Sequence, residues 1–478
     1  METYRRNGNY EQESNCEAIA MWRRFPMLKK MILLAGDIGL LVLATYLAVV
    51  LVFHDIDPQL VAISYYNMLP VMIIAAGVLF NINGLFSLAR KKYSELVLSL
   101  SVTVFKLFII MMAASFFLRE FSYSRSVLVV TAILQFILLA SWKYVFWRIE
   151  NMLAMPKNAL VIGNQSECAR IITRLNAQPQ LNYNVRYICT DCENGPWKKI
   201  AEGIDLIIVC ADMSLKDKAE IVHYCHTSGK RVFLVPDVYE LFCSGVELNK
   251  VDDIPVLQPH NLKPTLEQRS LKRMLDLLVS GTALLLLWPV FIIIALLVKV
   301  DSPGPVLYSQ VRTGRGEKEF KVYKFRTMRQ DAEKLTGPVM ASANDSRITN
   351  VGRVLRATRL DELPQILNVL IGDMSIVGPR PERPFFVEQF KEEIPEYIYR
   401  HNVKPGITGL AQIFGKYNTT PYDKLVYDLI YIQKCNVITD LVIMLQTVRV
   451  LVTKSSTEGV GANKIKPDLS RYHIDEVV

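Results

Sequence analysis

Among the 478 residues there is no glycine fingerprint for a dinucleotide, no second Cys-x-x-Cys pair and no nucleic-acid motif. Each absence narrows the function. A doubly wound dinucleotide site needs G-x-G-x-x-G at its first strand–helix turn, whereas Gly163-Asn164-Gln165-Ser166-Glu167-Cys168 supplies one glycine. The eight cysteines include Cys189-Thr190-Asp191-Cys192. A zinc site would have to recruit His223 and His226 across about thirty residues, longer than the usual finger spacing. A thioredoxin-like redox pair would open a helix, but Glu193-Asn194-Gly195-Pro196 reads as a turn. Reduced, structural thiols are therefore expected. No convincing small-residue cleavage site follows the first apolar run, which is also too long for a secretory signal and reads as a retained anchor.

Acidic residues are in deficit, 46 against 55 lysines and arginines, for a net charge of +9. Such a surplus suits nucleic acid, anionic lipid or a phosphorylated substrate, and charge alone does not choose among them. With no nucleic-acid motif, the basic surplus is assigned to phosphates and the cytoplasmic lipid surface.

What is abundant is apolar sequence, 51% of residues, with a mean hydropathy of +0.22 and the apolar residues gathered in blocks. Four runs, about Met31 to Phe53, Leu60 to Phe80, Leu96 to Leu118 and Val127 to Phe146, each approach or exceed the roughly 20 residues that span hydrocarbon. The flanks mostly alternate in charge: a basic leader, acidic His54-Asp55-Ile56-Asp57, basic Arg90-Lys91-Lys92, a weakly basic third loop, then Lys143 and Arg148 at the fourth exit. The positive-inside rule places both ends in the cytoplasm. Asp37 and Lys106 fall inside spans, where ionisable groups are costly. Lys106 is expected to snorkel or find a polar partner, and Asp37 to lie near enough to the cytosolic end to stay hydrated.

Three regions follow: a four-helix transmembrane bundle over 1–150, a small α/β domain over 151–262 and an α-rich domain over 263–478. The middle region alternates short β-rich runs with helical ones, from the strand Asn158 to Gly163 through helices over 167–175 and 215–228 to the strand Arg231 to Val235. This is the βαβ pattern of a small parallel sheet, Rossmann-like but without the fingerprint. The helix N-terminus could still receive a phosphate, so ligand binding stands beside a scaffold or dimerisation role.

In the last region Lys272-Arg273 introduces an apolar run over about 272–299, interrupted by Trp288-Pro289. Proline removes a helical hydrogen bond and clashes with the preceding turn, so a kink or break is expected at Pro289. A span here would export the basic region that follows; a re-entrant helix keeps both flanks inside. Lys324 and Arg326 alternate on one side of an extended segment, and Arg353, Arg356 and Arg359 share a helical face if the helix persists. Next to Asp361-Glu362 and the Arg380/Arg383 pair, these cations read as a phosphate-binding basin, since arginine forks match phosphate oxygens. Pro364 suits a first helical turn, which would set Asp361 at or near an N-cap, with free amides lowering its pKa. Phe385 to Phe390, Ile398 to Tyr399 and Leu441 to Val452 are candidates for the membrane interface, the last equally a core helix.

Six blocks in order carry a resemblance: Lys272-Arg273; Asp301-Ser302-Pro303-Gly304-Pro305-Val306; Lys324-Phe325-Arg326-Thr327-Met328; Leu360 to Gln365; Gly372 to Glu382; and Pro405 to Gln412. Over about Gln268 to Thr453 they resemble the bacterial sugar transferase domain of polyprenyl-phosphate phosphoglycosyl transferases. The regions ahead of it look like those of the large members, which start exopolysaccharide, capsule or O-antigen units. The resemblance implies a monotopic catalytic domain on the cytoplasmic face of the bacterial inner membrane. It implies transfer of a sugar 1-phosphate from a UDP-sugar to undecaprenyl phosphate with release of UMP. Asp361 would be the nucleophile, Glu362 a catalytic partner and ligand of Mg²⁺, and Lys324, Arg326, Arg356, Gln365, Arg380 and Arg383 phosphate or donor contacts. Where the family commonly has Ser-Pro at the helix break, this chain has Trp288-Pro289. Glucose or galactose is implied as the sugar, and a homodimer through the spans or middle domain is expected. Two rivals are a nucleotide-gated membrane protein, which predicts a polar pore and an intact fingerprint, and a scaffold whose catalytic domain has lapsed.

Overall fold

The computed structural model describes residues 26–53, 58–88, 91–118, 125–153, 156–190, 196–259, 262–329, 347–415, 419–452 and 476–477. These fall into two compact units, one within 1–159 and 171–185, the other within 160–170 and 186–478. Cys192 lies outside the described residues; Cys189 is buried, and His223 and His226 are exposed.

Four helices come first: α1 (Pro26–Val52), α2 (Pro58–Ile82), α3 (Tyr93–Phe117) and α4 (Arg125–Met152). They coincide with the four apolar runs, and Leu41, Met72, Phe80, Leu100 and Leu139 meet in their shared core. Gly36 lets α1 approach α4, because a β-carbon there would stand 2.5 Å from the Trp142 ring. The next residue corrects an expectation. Asp37 is not hydrated but fully buried, and accepts a hydrogen bond from Lys143 Nζ at 2.5 Å. Lys143, read as an exit flank, lies inside the bundle with its ammonium 5.3 Å from the centre of the Phe80 ring. An unpaired charge out of water would cost several kcal/mol, so each group is tolerated through the other. Lys106 is buried as well.

The middle region runs β1 (Lys157–Ile162), α5 (Gln165–Asn176), β2 (Tyr183–Cys189), α6 (Pro196–Ala201), β3 (Leu206–Val209), α7 (Leu215–Thr227), β4 (Arg231–Leu234) and α8 (Val238–Cys243). Then come the hairpin strands β5 (Glu247–Val251) and β6 (Ile254–Gln258). The strands form a sheet in the order β11-β2-β1-β3-β4, with β3 and β4 parallel. Its outer strand β11 (Glu476–Val477) comes from the C-terminal end and pairs in parallel with β2. At the turn after β1, Gly163 has φ 149°, and a β-carbon there would lie 2.4 Å from that of Cys210. The turn is already satisfied from within: Asp212 takes the Asn164 amide at 2.9 Å, and Asn164 Oδ1 takes that of Ser166 at 3.2 Å. An anionic ligand here would meet the Asp212 carboxylate.

The last region is built on α9 (Leu266–Asp301), followed by β7 (Leu307–Thr313), β8 (Glu319–Phe325), α10 (Asn350–Thr358), α11 (Gln365–Ile371), β9 (Ser375–Val377), α12 (Pro384–Glu393), β10 (Gly406–Thr408), α13 (Leu410–Phe414), α14 (Pro421–Gln433) and α15 (Val437–Val452). α9 does not divide at Pro289: helical structure continues through it over 36 residues. One lost hydrogen bond is a small fraction of so long a ladder, and apolar helices re-satisfy it by local adjustment. Among the described residues, Met27–Val52, Tyr93–Phe117, Arg125–Met152 and Leu266–Asp301 are long and apolar enough to cross a membrane, while α2 contributes the shorter stretch Asn67–Ile82.

Both flanks of α9 pack on the same body. At its start Lys272 reaches Asp440 at 2.5 Å and Arg273 donates to the Val369 and Leu370 carbonyls. At its end Ile294 and Val298 pack with Phe325 and Leu355, and Asp301 Oδ2 accepts the Val351 amide at 3.0 Å. Between them Leu278, Leu285, Leu286, Trp288 and Leu296 are exposed.

Candidate active site

Three pieces of backbone meet at Asp361: the end of β8, the turn between α10 and α11, and the loop after β9. α10 is capped by Thr349, whose hydroxyl takes the Gly352 amide at 3.0 Å. Gly352 itself is required by contact, since a β-carbon there would fall 2.2 Å from the Thr327 carbonyl oxygen. That approach lets Arg356 Nε donate to Thr327 Oγ1 at 2.9 Å. The helix then stops because Arg359 takes a left-handed conformation, φ 57° and ψ 18°, at a cost of about 1–2 kcal/mol for a residue with a side chain. The chain turns at once into the 3₁₀ turn Leu360–Glu362. Asn368, fully buried on α11, accepts the Tyr323 amide at 3.1 Å and donates to the Lys321 carbonyl at 2.7 Å, which ties β8 to α11.

This framework brings Lys324 Nζ within 2.8 Å and Arg380 Nη2 within 2.7 Å of one oxygen, Glu362 Oε1. Burial alone would raise the Glu362 carboxyl, but Arg380 and Lys324 outweigh it and hold the group well below the usual range. Asp361 responds in the opposite sense. Burial and then the neighbouring Glu362 charge push it up to about 6, against the opposing pull of Lys324, Arg356 and Arg380. The expected lowering by helix amides is therefore overturned. Asp361 is no N-cap: Pro364 fills that position ahead of α11, without a side-chain cap.

The candidate residues do not all converge. Arg326 turns away from the cluster and donates to the Ser302 and Pro303 carbonyls at 2.6 and 2.8 Å. It braces the Asp-Ser-Pro-Gly-Pro turn, because β8 ends at Phe325 and the alternation that aligned it with Lys324 stops there. Gln365 is buried in the first turn of α11. Arg383 is the N-cap residue of α12, within electrostatic reach of Arg312. Arg353 is exposed on α10, and Arg359 leaves the shared helical face by its left-handed turn.

Residues that the sequence did not single out fix the Arg380 loop. Arg400, 4% exposed, donates to the Arg380 carbonyl at 2.8 Å while paired with buried Asp428 at 2.9 Å. Arg312 donates to the Pro381 carbonyl at 3.1 Å and faces Glu382; burial brings it down to about 10. Below the loop, β-carbons at Gly406 and Gly409 would fall 2.0 and 2.2 Å from Gly378 backbone atoms, so the parallel pair β9–β10 closes only with glycine. Arg312 offered one signal, alternation with Gln310 on a strand; Arg400 offered none. A cavity of about 740 Å³ lined by Tyr239, Phe242, Leu262 and Tyr399 shares no residue with this cluster.

The family profile described as bacterial sugar transferase matches residues 267–454. A protein from Rhizobium leguminosarum bv. phaseoli named "Exopolysaccharide production protein PSS" is 44% identical over 199 residues, 40% of this chain and 98% of the relative. The chain belongs to the bacterial sugar transferase family. This bacterial sugar transferase is also 42% identical over 216 residues to "UDP-N-acetylgalactosamine-undecaprenyl-phosphate N-acetylgalactosaminephosphotransferase" of Aeromonas hydrophila, covering 45% of this chain and 50% of the relative. It is 41% identical over 235 residues to "UDP-glucose:undecaprenyl-phosphate glucose-1-phosphate transferase" of Escherichia coli (strain K12), covering 48% and 50%. The matched segment thus spans about half the length of these two relatives. A second profile, described as CoA-binding domain, matches residues 81–225 of the transferase.

Proposed function

We propose that this protein transfers a sugar 1-phosphate from a UDP-sugar to undecaprenyl phosphate, releasing UMP and forming the first lipid-linked intermediate of a surface polysaccharide. The observation that carries the reading is a half-buried carboxylate, Asp361, beside a second carboxylate held between Lys324 and Arg380. An anionic nucleophile approaches a diphosphate only where cations offset the repulsion. An Asp361 oxygen attacks the β-phosphorus, the bond from that phosphorus to the bridging oxygen breaks, and UMP leaves with that oxygen. The acyl phosphate so formed is then attacked by a phosphate oxygen of the lipid, which restores the Asp361 carboxylate.

Glu362 keeps Lys324 and Arg380 aimed at the incoming phosphates, and Arg356, braced on Thr327, adds charge beside Asp361. Mg²⁺ fits this donor set only together with substrate oxygens, since among the described residues no three acidic, histidine or cysteine side chains form a metal cluster. Glu362 would hold it alongside the diphosphate, as is usual for an ion bound by one or two carboxylates. When bound, it neutralises phosphate oxygens.

Re-entry of α9 from the cytoplasmic face of the inner membrane is part of the proposal. Hydrocarbon is about 30 Å thick, so a straight span would part the two flanks that pack on one body. Homodimerisation belongs to the proposal too; exposed Leu248, Val251, Ile254 and Leu257 on the β5–β6 hairpin are available to a second copy. The test is UMP release by purified protein with Mg²⁺, undecaprenyl phosphate and a panel of UDP-sugars, comparing the parent with Asp361→Asn. Release with one donor, abolished in the variant, is expected; full activity of Asp361→Asn would sink the covalent assignment.

A further inference from the structure

Away from Asp361, four cations gather where α9 meets the folded body. Arg269 and Arg273 lie in its first turns, Arg315 in the tight turn between β7 and β8, and Lys404 just before β10. Two of them meet over the bare Cα of Gly372, where a β-carbon would stand 3.5 Å from Arg273 Nη2 and 3.6 Å from Lys404 Nζ. With φ at 108°, this position favours glycine and leaves the space between the cations open.

Among the described residues, no carboxylate forms an ion pair with any of the four. Lys404 is held below its ordinary range by burial and then by Arg273, and Arg315 by burial and then by Arg269. Among the described residues, Asp276 and Asp373 act on Lys404 in the opposite sense, and Asp276 already accepts from Ser375 Oγ and the Ile376 amide. Arg269 Nε is buried and finds no acceptor among the described residues. Exposed apolar residues of α9 flank these arginines, Leu266 and Leu271 before Arg273 and Met274 and Leu278 directly beyond it. Glu362 precedes α11 and Gly372 follows it, so that helix, about 10 Å long at 1.5 Å per residue, separates this cluster from Asp361.

We infer that Arg269, Arg273, Arg315 and Lys404 form a binding site for the phosphate of an anionic phospholipid, held at the head of α9 and distinct from the reacting centre. The inference rests on the membrane reading of α9. Cations interleaved with exposed apolar residues at the head of α9 stand at the depth of headgroup phosphates, and each is worth roughly a fivefold gain in binding. The site would fix the depth of α9.

The full chain is reconstituted in phosphatidylcholine nanodiscs with roughly one-fifth phosphatidylglycerol, transferred to mild detergent, and its retained lipid weighed by native mass spectrometry. Arg315→Gln and Lys404→Gln should each lower retained phosphatidylglycerol roughly fivefold. Equal retention in the variants overturns the site, and complete displacement by millimolar inorganic phosphate reassigns it to a free anion. A bimane label at Leu285→Cys, read with brominated acyl chains, tests the membrane reading separately. A quenched label with unchanged lipid retention fails the headgroup site alone; an unquenched label fails both.

Discussion

At Asp361 burial and the Glu362 charge favour the proton, with the folded pKa pushed up to about 6 from an ordinary 3.8. Two consequences follow from the sign. The nucleophile is a carboxylate above that value, so turnover should fall about tenfold per pH unit below it, as a pH–rate profile between 5 and 8 will test. Folding also binds this proton more tightly than the unfolded chain does, so the group contributes stability that is full below its unfolded pKa and lost as pH rises through about 6. Asp361→Asn, which mimics the neutral form, should raise the Tm at pH 7, raise it by less at pH 5, and leave it nearly unchanged only below the unfolded value of 3.8, by thermal denaturation. The pair Asp361-Glu362 was legible in sequence because two acids stand among arginines. The direction of the Asp361 shift was not, because it depends on burial and on how Lys324 and Arg380 divide between two carboxylates. Arg326 misled for a related reason: its side was set by where β8 stops.

Gly352 carries the most local of the element-scale constraints. Gly352→Ala drives a methyl into the Thr327 carbonyl, so α10 must shift and take Arg356 with it. Such overpacking costs about 1–3 kcal/mol, and displacement of Arg356 should lower turnover by up to about a hundredfold; urea unfolding and UMP release measure the two. Long elements were readable in advance, since α1 to α4 announce themselves by apolar length, and β1, β3 and β4 by apolar runs ended by glycine or polar residues. Strands β9 and β10 span three residues each, too few for any periodicity, and their pairing rests on glycines that meet only in three dimensions. The same holds for Asp37 and Lys143, partners 106 residues apart.

Across the whole molecule, the folded catalytic body begins earlier than the matched family segment. Val238, Leu241 and Leu262 sit in one core with Leu425, Leu429 and Tyr431, and Gln433 donates to the Leu241 carbonyl. Arg170 reaches Asp423 at 3.1 Å. A fragment starting at Gln268 should therefore be less stable than one starting at Val235, by about 2 kcal/mol for each of the three lost apolar side chains. Denaturant midpoints of the two fragments in the same detergent compare them directly. The sequence pattern placed a boundary near 262 because composition changes there, while the core, which composition does not record, crosses it. The two fastened ends of α9 impose a rotational phase on everything between them. One inserted alanine after Leu285 turns the downstream half by about 100°, so Ile294 and Val298 would face away from Phe325 and Leu355. Seven inserted residues, close to two full turns, restore the facing side but displace it by about 10 Å. Neither insertion satisfies both anchorages, so the helix is gauged in length as well as in angle, and its apolar residues can be exchanged more freely than they can be counted differently.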